Sequence, residues 1–189
     1  MKRLAQVISI LLGPFVWPIT LIVIIFRSGL STQQITVLLP IVLLLQVGIP
    51  YFYIFRAYKL KKISDLDITK REERYKTMII TCISFVSSLL FIHFFGNSLL
   101  LKLSIMTLMI LVINTIITFS WKISLHMTLN VISALIINYL YHWQLPFLYL
   151  SIPLIFWSRL YLKKHTIMQL IGGLVINGAI ALFFIFFVF

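Results

Sequence analysis

The chain has 189 residues, of which 61% are hydrophobic and 11% are charged, and its formal net charge is +12. Soluble domains are about 45–50% apolar and about 25% charged, so a water-soluble fold is excluded. Disorder is excluded because 15% of the residues are aromatic, whereas disordered chains are poor in aromatic residues. Cys82 is the single cysteine, which excludes a disulfide framework and zinc sites built on several cysteines.

We therefore predict an all-α, polytopic membrane protein, a helical bundle with about six to seven transmembrane helices at about 20 residues per crossing. The first apolar run is longer than the roughly 7–15 residues of a signal-peptide core, so we interpret it as an anchor. The predicted spans are 4–26, 35–55, 77–95, 98–119, 125–143, 146–162 and 168–189. Neighbouring helices can satisfy the carbonyls that prolines inside these spans leave without a donor; the prolines are Pro14, Pro18, Pro40 and Pro153. One integral membrane domain over 1–189 is expected.

Charged residues collect at one membrane face. If the spans alternate, this face holds the N-terminus and the connections 56–76, 120–124 and 163–167. It then carries fourteen of the sixteen Lys and Arg residues and all four acids, while only Arg27 and Lys102 lie at the other face. The positive-inside rule assigns the basic face to the cytoplasm. We predict a protein of the cell inner membrane whose N-terminus and site face the cytoplasm.

The first polar cluster is the basic connection 56–76. Forked guanidinium groups bind phosphate oxygens in pairs, which makes Lys70, Arg71 and Arg74 candidate phosphate ligands. Arg71 and Arg74 share a helix face if the next span begins early. The alternative is a solvated loop in which the acids neutralise these cations; the acids are Asp65, Asp67, Glu72 and Glu73.

Two further clusters flank the later spans. Ser124 and His126 lie where a helix is predicted to begin, and a helix N-terminus favours an anion. Arg159 ends one span and His165 begins the next. Gln169 lies one helical turn after His165, close enough to accept a hydrogen bond from its ring N–H. Even numbers of crossings separate the three clusters, so all three are expected at one face, where they can line one pocket.

These residues resemble the type 2 phosphatidic acid phosphatase superfamily, and the chain looks like a divergent, bacterial-type member. Ser158-Arg159-x5-His165 is similar to the third signature of that family, Ser-Arg-x5-His-x3-Asp, with Gln169 in place of the Asp. Ser124-Leu125-His126 is similar to the second signature, Pro-Ser-Gly-His. The loop that holds Arg74 stands where the first signature, Lys-x6-Arg-Pro, belongs, although Asp67 occupies the lysine position.

The resemblance covers about 56–175 and leaves two N-terminal helices, 4–55, outside this core. It implies a lipid phosphatase that needs neither metal nor cofactor and hydrolyses a prenyl diphosphate or a phosphatidate-like lipid. His165 would form a phosphohistidine, His126 would protonate the leaving oxygen, and Gln169 would orient His165. The residues that would hold the phosphate are Lys70, Arg71, Arg74, Ser124 and Arg159. Expected partners are the lipid substrate and membrane lipids, with no nucleic acid.

Three alternatives stay open. Gln169 supplies no negative charge to stabilise the imidazolium, so we expect a slower enzyme, a variant that uses another acid such as Asp65 or Asp67, or a catalytically decayed relative. A magnesium-dependent prenyl-diphosphate enzyme would use the loop acids as metal ligands, but the predicted spans contain no second set of acids. A non-enzymatic protein, such as a transporter or an assembly factor, would normally place acids or histidines in mid-membrane. Only His93 and Lys102 approach that position.

Overall fold

A computed structural model describes residues 1–189. All of its regular secondary structure is helical, and it contains no strand. The helices are, in chain order, α1 (Lys2–Leu11), α2 (Val16–Arg27), α3 (Thr32–Leu43), α4 (Ile49–Lys59), α5 (Arg74–Phe95), α6 (Ser98–Ser120), α7 (Leu125–Leu140), α8 (Ser151–Tyr161) and α9 (Ile167–Phe187). A π-helical segment, Leu44–Gly48, joins α3 to α4, and a 3₁₀ turn, Pro146–Leu150, precedes α8.

Five helical stretches are long and apolar enough to cross a membrane, and α7 is a shorter apolar helix. The five stretches are Lys2–Arg27, Thr32–Lys59, Arg74–Phe95, Ser98–Ser120 and Ile167–Phe187. The prediction of an all-α, polytopic integral membrane protein is confirmed. The predicted spans 125–143 and 146–162 are too long, because α7 ends at Leu140 and α8 begins only at Ser151.

The first predicted span is not one continuous helix. α1 ends at Leu11 and α2 begins at Val16, so that the turn 12–15 interrupts the apolar run. The physical cause is Pro14, which has no N–H to donate to the carbonyl of Ile10 and disfavours helical backbone at the residue before it, Gly13. The interruption exposes backbone groups of this turn to neighbouring helices, and one of them binds a side chain of α7, as described below.

The contacts divide the chain into two compact units. Unit 1 comprises 1–27 and 123–189, and unit 2 comprises 28–122. In unit 1, α7 packs against α2, α8 and α9, while α8 also packs against α1. In unit 2, α5 packs against α3, α4 and α6. The single membrane domain predicted from the sequence stays a prediction.

The π-helical segment of unit 2 is stabilised by two serines of α5. Pro50 cannot donate to the carbonyl of Gln46, four residues earlier, which favours a distortion of the helix at this point. The hydroxyl of Ser84 donates to the carbonyl of Leu45. The Nε2 of Gln46 donates to the hydroxyl of Ser88 over 2.9 Å. Side chains of α5 therefore supply hydrogen bonds where the local helical pattern changes.

Candidate functional site

The predicted site residues fall into both units. Unit 1 contains the two histidines, the buried arginine, the serine and the glutamine of the second and third clusters: Ser124, His126, Arg159, His165 and Gln169. Unit 2 contains the three cations of the basic connection: Lys70, Arg71 and Arg74. Each group is described within its own unit.

Arg159 lies in the last turn of α8, and its side chain is directed into unit 1. Only 1% of its surface is exposed. Its Nη1 donates to the hydroxyl of Ser9 in α1 over 2.6 Å. The preceding residue, Ser158, donates its own hydroxyl to the carbonyl of Ala5 over 2.7 Å. Two consecutive residues of α8 therefore bind α1, and they fix the guanidinium beside the C-terminal half of that helix.

His126 lies in the first turn of α7, and its ring lies against the turn that follows α1. A Cβ atom added to Gly13 would lie 2.6 Å from Nε2 and 2.9 Å from Cδ2 of this ring. Asn130, one turn further along α7, donates its Nδ2 to the carbonyl of Leu12 over 2.6 Å and to the carbonyl of His126 over 2.8 Å. α7 is thus joined to the α1–α2 turn at the level of the imidazole.

These contacts bring Arg159 and His126 to the same part of α1. Ser9 lies in the last turn of α1 and Gly13 lies in the turn that follows the helix, and a Cβ at Gly13 would contact the carbonyl of Ser9. The residue that binds the guanidinium and the residue that contacts the imidazole are therefore close together. A cation and a titratable ring converge on one short stretch of chain.

Sequence reasoning missed Ser9, Gly13 and Asn130. The available signal was weak: a serine inside an apolar run is followed four residues later by Gly-Pro, where a helix is expected to break. Because the resemblance begins only near residue 56, no motif drew attention to this helix.

Ser124 caps the N-terminus of α7 and is fully buried. Its hydroxyl accepts a hydrogen bond from the N–H of Met127 over 3.4 Å. Its carbonyl lies against α9, since a Cβ added to Gly173 would be 2.9 Å from that oxygen. The structure therefore gives Ser124 a capping role. Its predicted role as a phosphate ligand stays a prediction.

α7 and α9 run in the same direction, and their contacts fix the register between them. Ser124 lies against Gly173, and the Nδ2 of Asn177 donates to the hydroxyl of Thr128 over 2.8 Å. Both pairs are separated by 49 positions, whereas His126 and His165 are separated by only 39. This register places the Cα of His126 level with Val175, about 12 Å along α9 from its first residue, Ile167, at 1.5 Å per residue; His165 lies two residues before that helix begins.

His165 lies in the connection between α8 and α9, with 6% of its surface exposed. After α8 ends at Tyr161, Lys163 adopts left-handed backbone at φ 53°. The N–H of Lys164 then donates to the carbonyl of Arg159 over 3.0 Å. This closed turn fixes the path of the chain from the arginine to the histidine. Thr166 then caps α9 immediately after His165.

Gln169 has a structural partner that the sequence analysis did not anticipate. Its Oε1 accepts a hydrogen bond from the backbone N–H of Thr166 over 3.2 Å, and its own N–H donates to the Thr166 hydroxyl over 3.3 Å. This reciprocal arrangement is a capping box, for which Gln is a favoured residue. The expected hydrogen bond from His165 to Gln169 stays a prediction.

In unit 2, Lys70 and Arg71 are paired with acids of their own loop. Lys70 Nζ lies 3.6 Å from Oε1 of Glu73, and Arg71 Nε lies 3.5 Å from Oε1 of Glu72. Arg71 also donates its Nη1 to the carbonyl of Ser120 over 2.5 Å. Because α5 begins only at Arg74, Arg71 and Arg74 do not share a helix face. For Lys70 and Arg71, the geometry favours the alternative of a neutralised loop.

Arg74 differs from its two neighbours because it is 4% exposed. Its Nε donates to the carbonyl of Ile68 over 2.8 Å. Ile68 itself is buried and has a φ of 46°, which is rare for a β-branched residue. It packs with Ile63 and Ala57, the latter in α4. The basic connection is therefore a folded loop on α4, and Arg74 stabilises its most strained residue.

Glu73 also stabilises this loop. Its Oε2 accepts hydrogen bonds from the N–H of Ser64 over 2.7 Å and from the Ser64 hydroxyl over 2.9 Å. The hydrogen bond from the Ser64 backbone, helped by the Ser64 hydroxyl and the positive charge of Lys70, lowers the pKa of the Glu73 carboxyl. The carboxylate therefore closes the loop 64–73 in its charged form.

The chain nowhere groups three or more His, Cys, Asp or Glu side chains into a possible metal site. Comparisons with protein-family models, with curated proteins and with solved structures find no match to this chain. The resemblance to the phosphatidic acid phosphatases therefore rests on the sequence motifs alone.

Proposed function

We propose that this integral membrane protein is a metal-independent phosphatase that hydrolyses a lipid phosphate or a prenyl diphosphate through a phosphohistidine. The observation that carries the proposal is that Arg159 contacts Ser9 at the end of α1 and that His126 contacts Gly13 in the turn that follows. Phosphoryl transfer requires mainly positioning and positive charge around the oxygens of phosphorus. A buried guanidinium held by a hydroxyl meets both needs, since a cation is strongest where water is excluded.

The positions of the two histidines are compatible with in-line transfer. The attacking and leaving atoms lie on opposite sides of phosphorus, so the nucleophile and the acid need not touch. In-line transfer then requires the two rings to extend toward one another from Cα levels that are at least about 12 Å apart along α9. The turn after α8 connects Arg159 to His165, because the N–H of Lys164 in that turn donates to the carbonyl of Arg159.

The proposed reaction has two steps. A ring nitrogen of His165 attacks the terminal phosphorus, and the bond from that phosphorus to the leaving oxygen breaks while His126 gives this oxygen its proton; the leaving oxygen is the lipid oxygen of a phosphomonoester or the bridging oxygen of a diphosphate. A water molecule then attacks the phosphohistidine, His126 takes a proton from it, and inorganic phosphate leaves as the N–P bond breaks. Histidine suits both roles because its ordinary pKa lies close to neutrality. Arg159 holds the non-bridging oxygens in both steps.

The lipid tail would stay in the bilayer while the phosphate enters the polar end of unit 1. The cations of the chain support a cytoplasmic orientation for this end, because Lys2, Arg3, Lys163 and Lys164 all lie near it in sequence. We therefore propose the cytoplasmic leaflet of the cell inner membrane as the source of the substrate.

The test is phosphate release by the purified protein in detergent with EDTA present, using phosphatidate and a prenyl diphosphate as substrates. We expect release from at least one of them and accumulation of an acid-labile phosphoenzyme. His165→Ala should abolish both. His142→Ala is the matched control, because His142 lies in the turn after α7 and is exposed.

Each other result has a defined meaning. Equal release by the wild-type protein and by His165→Ala contradicts the phosphohistidine. Loss of release on adding EDTA, with recovery in Mg²⁺, favours the magnesium-dependent alternative based on the acids of the 56–76 loop. No release from either lipid by a correctly folded wild-type protein favours the decayed or non-enzymatic alternative.

A further inference from the structure

The first helix makes several specific contacts with the proposed site. The hydroxyl of Ser158 donates to the carbonyl of Ala5, and Arg159 donates to the hydroxyl of Ser9. Asn130 donates to the carbonyl of Leu12. These partners all lie on α1 or in the turn that follows it. Hydrogen bonds between helices are one of the ways in which membrane helices pack, so these three contacts fix α1 and its turn against α7 and α8.

We propose that α1 and the turn after it form part of the phosphate site. Ser9 is the positioning residue for Arg159, and Gly13 is the positioning residue for His126. This inference rests on the proposed function, because it assigns roles relative to a bound phosphate. It adds a segment that lies outside the region resembling the phosphatase family.

Ser9 acts through Arg159. A guanidinium carries five N–H donors in a rigid plane, so that fixing one of them fixes the direction of the rest. The 2.6 Å hydrogen bond from Nη1 to the Ser9 hydroxyl fixes one of these donors. The orientation of the other donors follows from it. Small errors in position are costly in catalysis, since a 1 Å displacement can reduce a rate by about 100-fold.

Gly13 acts through His126. A Cβ at position 13 would clash with the backbone carbonyl of Ser9 and would lie 2.6 Å from Nε2 of His126. Real Cβ atoms do not approach so closely, so both the turn and the imidazole would have to move. The absence of a side chain at Gly13 therefore allows the ring of the proposed proton donor to lie against this turn.

The test compares five variants of the 189-residue protein in phosphate release. Ser9→Ala should lower kcat about tenfold with little change in KM, since the lost hydrogen bond is to a charged group that acts mainly in the transition state. Ser9→Thr, which keeps the hydroxyl, should restore most of kcat. Ser133→Ala is the matched control, because Ser133 is also buried in unit 1 but its hydroxyl has no hydrogen-bond partner; it should keep wild-type activity.

Gly13→Ala should change the pH profile of kcat, because a displaced general acid loses its proton over a different pH range and the alkaline limb moves. Gly178→Ala is its control, since a Cβ there meets only Val131 at 3.4 Å, an ordinary contact, and its pH profile should match the wild type. Thermal unfolding of each variant in detergent checks that it is folded.

The inference is overturned if the wild-type protein is active while Ser9→Ala keeps the wild-type kcat, if Ser9→Thr loses as much as Ser9→Ala, or if Gly13→Ala leaves the alkaline limb unmoved. Failure of the proposed function looks different, because the wild-type protein and His165→Ala would then be equally inactive.

Discussion

Each unit contains one almost completely buried arginine, and the two are held in different ways. Arg159 in unit 1 binds the hydroxyl of Ser9, which is 150 positions away in the sequence. Arg74 in unit 2 binds the carbonyl of Ile68, which is only six positions away. The first contact joins two helices and the second closes a loop.

The difference indicates different roles. A serine hydroxyl can turn and bond to the carbonyl four residues before it in a helix, so Ser9 does not depend on Arg159. The carbonyl of Ile68 is fixed by a backbone at φ 46° and has no such freedom. The contact of Arg74 therefore indicates a structural role in the loop of unit 2, whereas the proposed function assigns Arg159 to the phosphate.

The largest expected effect tests this contrast directly. Arg159→Met should reduce kcat for phosphate release by about 10³-fold or more, the size of effect that a phosphate-binding arginine has in phosphoryl transfer. Its free energy of unfolding is measured alongside, so that a loss of activity can be separated from a loss of folding. Phosphate-release kinetics and thermal unfolding in detergent measure the two quantities.

Arg74→Met is the matched variant in unit 2. It should lower the free energy of unfolding by about 1–3 kcal/mol, because it leaves a buried carbonyl without a donor. If instead Arg74→Met removes activity without changing stability, then Arg74 is a phosphate ligand, as its place near the first family signature implies, and the contrast between the two arginines fails.

A second pair of variants tests the register of α7 and α9, on which the separation of the two histidines depends. Gly173→Ala should destabilise the protein by about 1–3 kcal/mol, since its Cβ would lie 2.9 Å from the Ser124 carbonyl and 3.1 Å from the Met127 Cβ. Gly178→Ala, five residues further along the same helix, should be neutral or stabilising. Equal effects of both substitutions on thermal unfolding would show that the register is wrong.

Composition and hydropathy were enough to predict the membrane fold and the five long spans, because apolar runs of sufficient length have few other structures open to them. They could not predict the break at Gly13, where a local backbone preference interrupts an otherwise continuous run. They also could not predict that Ser9 binds Arg159, since hydrogen bonds between distant helices leave no periodic pattern in a sequence. Gln169 illustrates a third limit, because one residue can fit both a catalytic motif and a helix cap.

A smaller effect is expected at two lysines that occupy equivalent positions in the two units. Lys61 follows α4 and Lys163 follows α8, both with left-handed backbone at φ 55° and 53°. Residues other than glycine are disfavoured in this conformation, so Lys61→Gly and Lys163→Gly should each raise the free energy of unfolding by about 0.5–1 kcal/mol. The neighbouring Lys164→Gly is the control and should be slightly destabilising, as should any glycine placed where the backbone is not left-handed.

The smallest effect is the dependence of stability on pH that Glu73 gives to the loop of unit 2. The pKa of Glu73 is lowered in the folded protein, so its contribution is present above the pKa of the unfolded chain and is lost as pH falls through the folded pKa. Thermal unfolding between neutral and acid pH should show this loss in the wild-type protein and less of it in Glu73→Gln. Glu72→Gln, which removes an exposed carboxylate, should keep the wild-type dependence; if it removes as much of the dependence as Glu73→Gln does, the loop is held by general charge balance and not by the Ser64 hydrogen bonds.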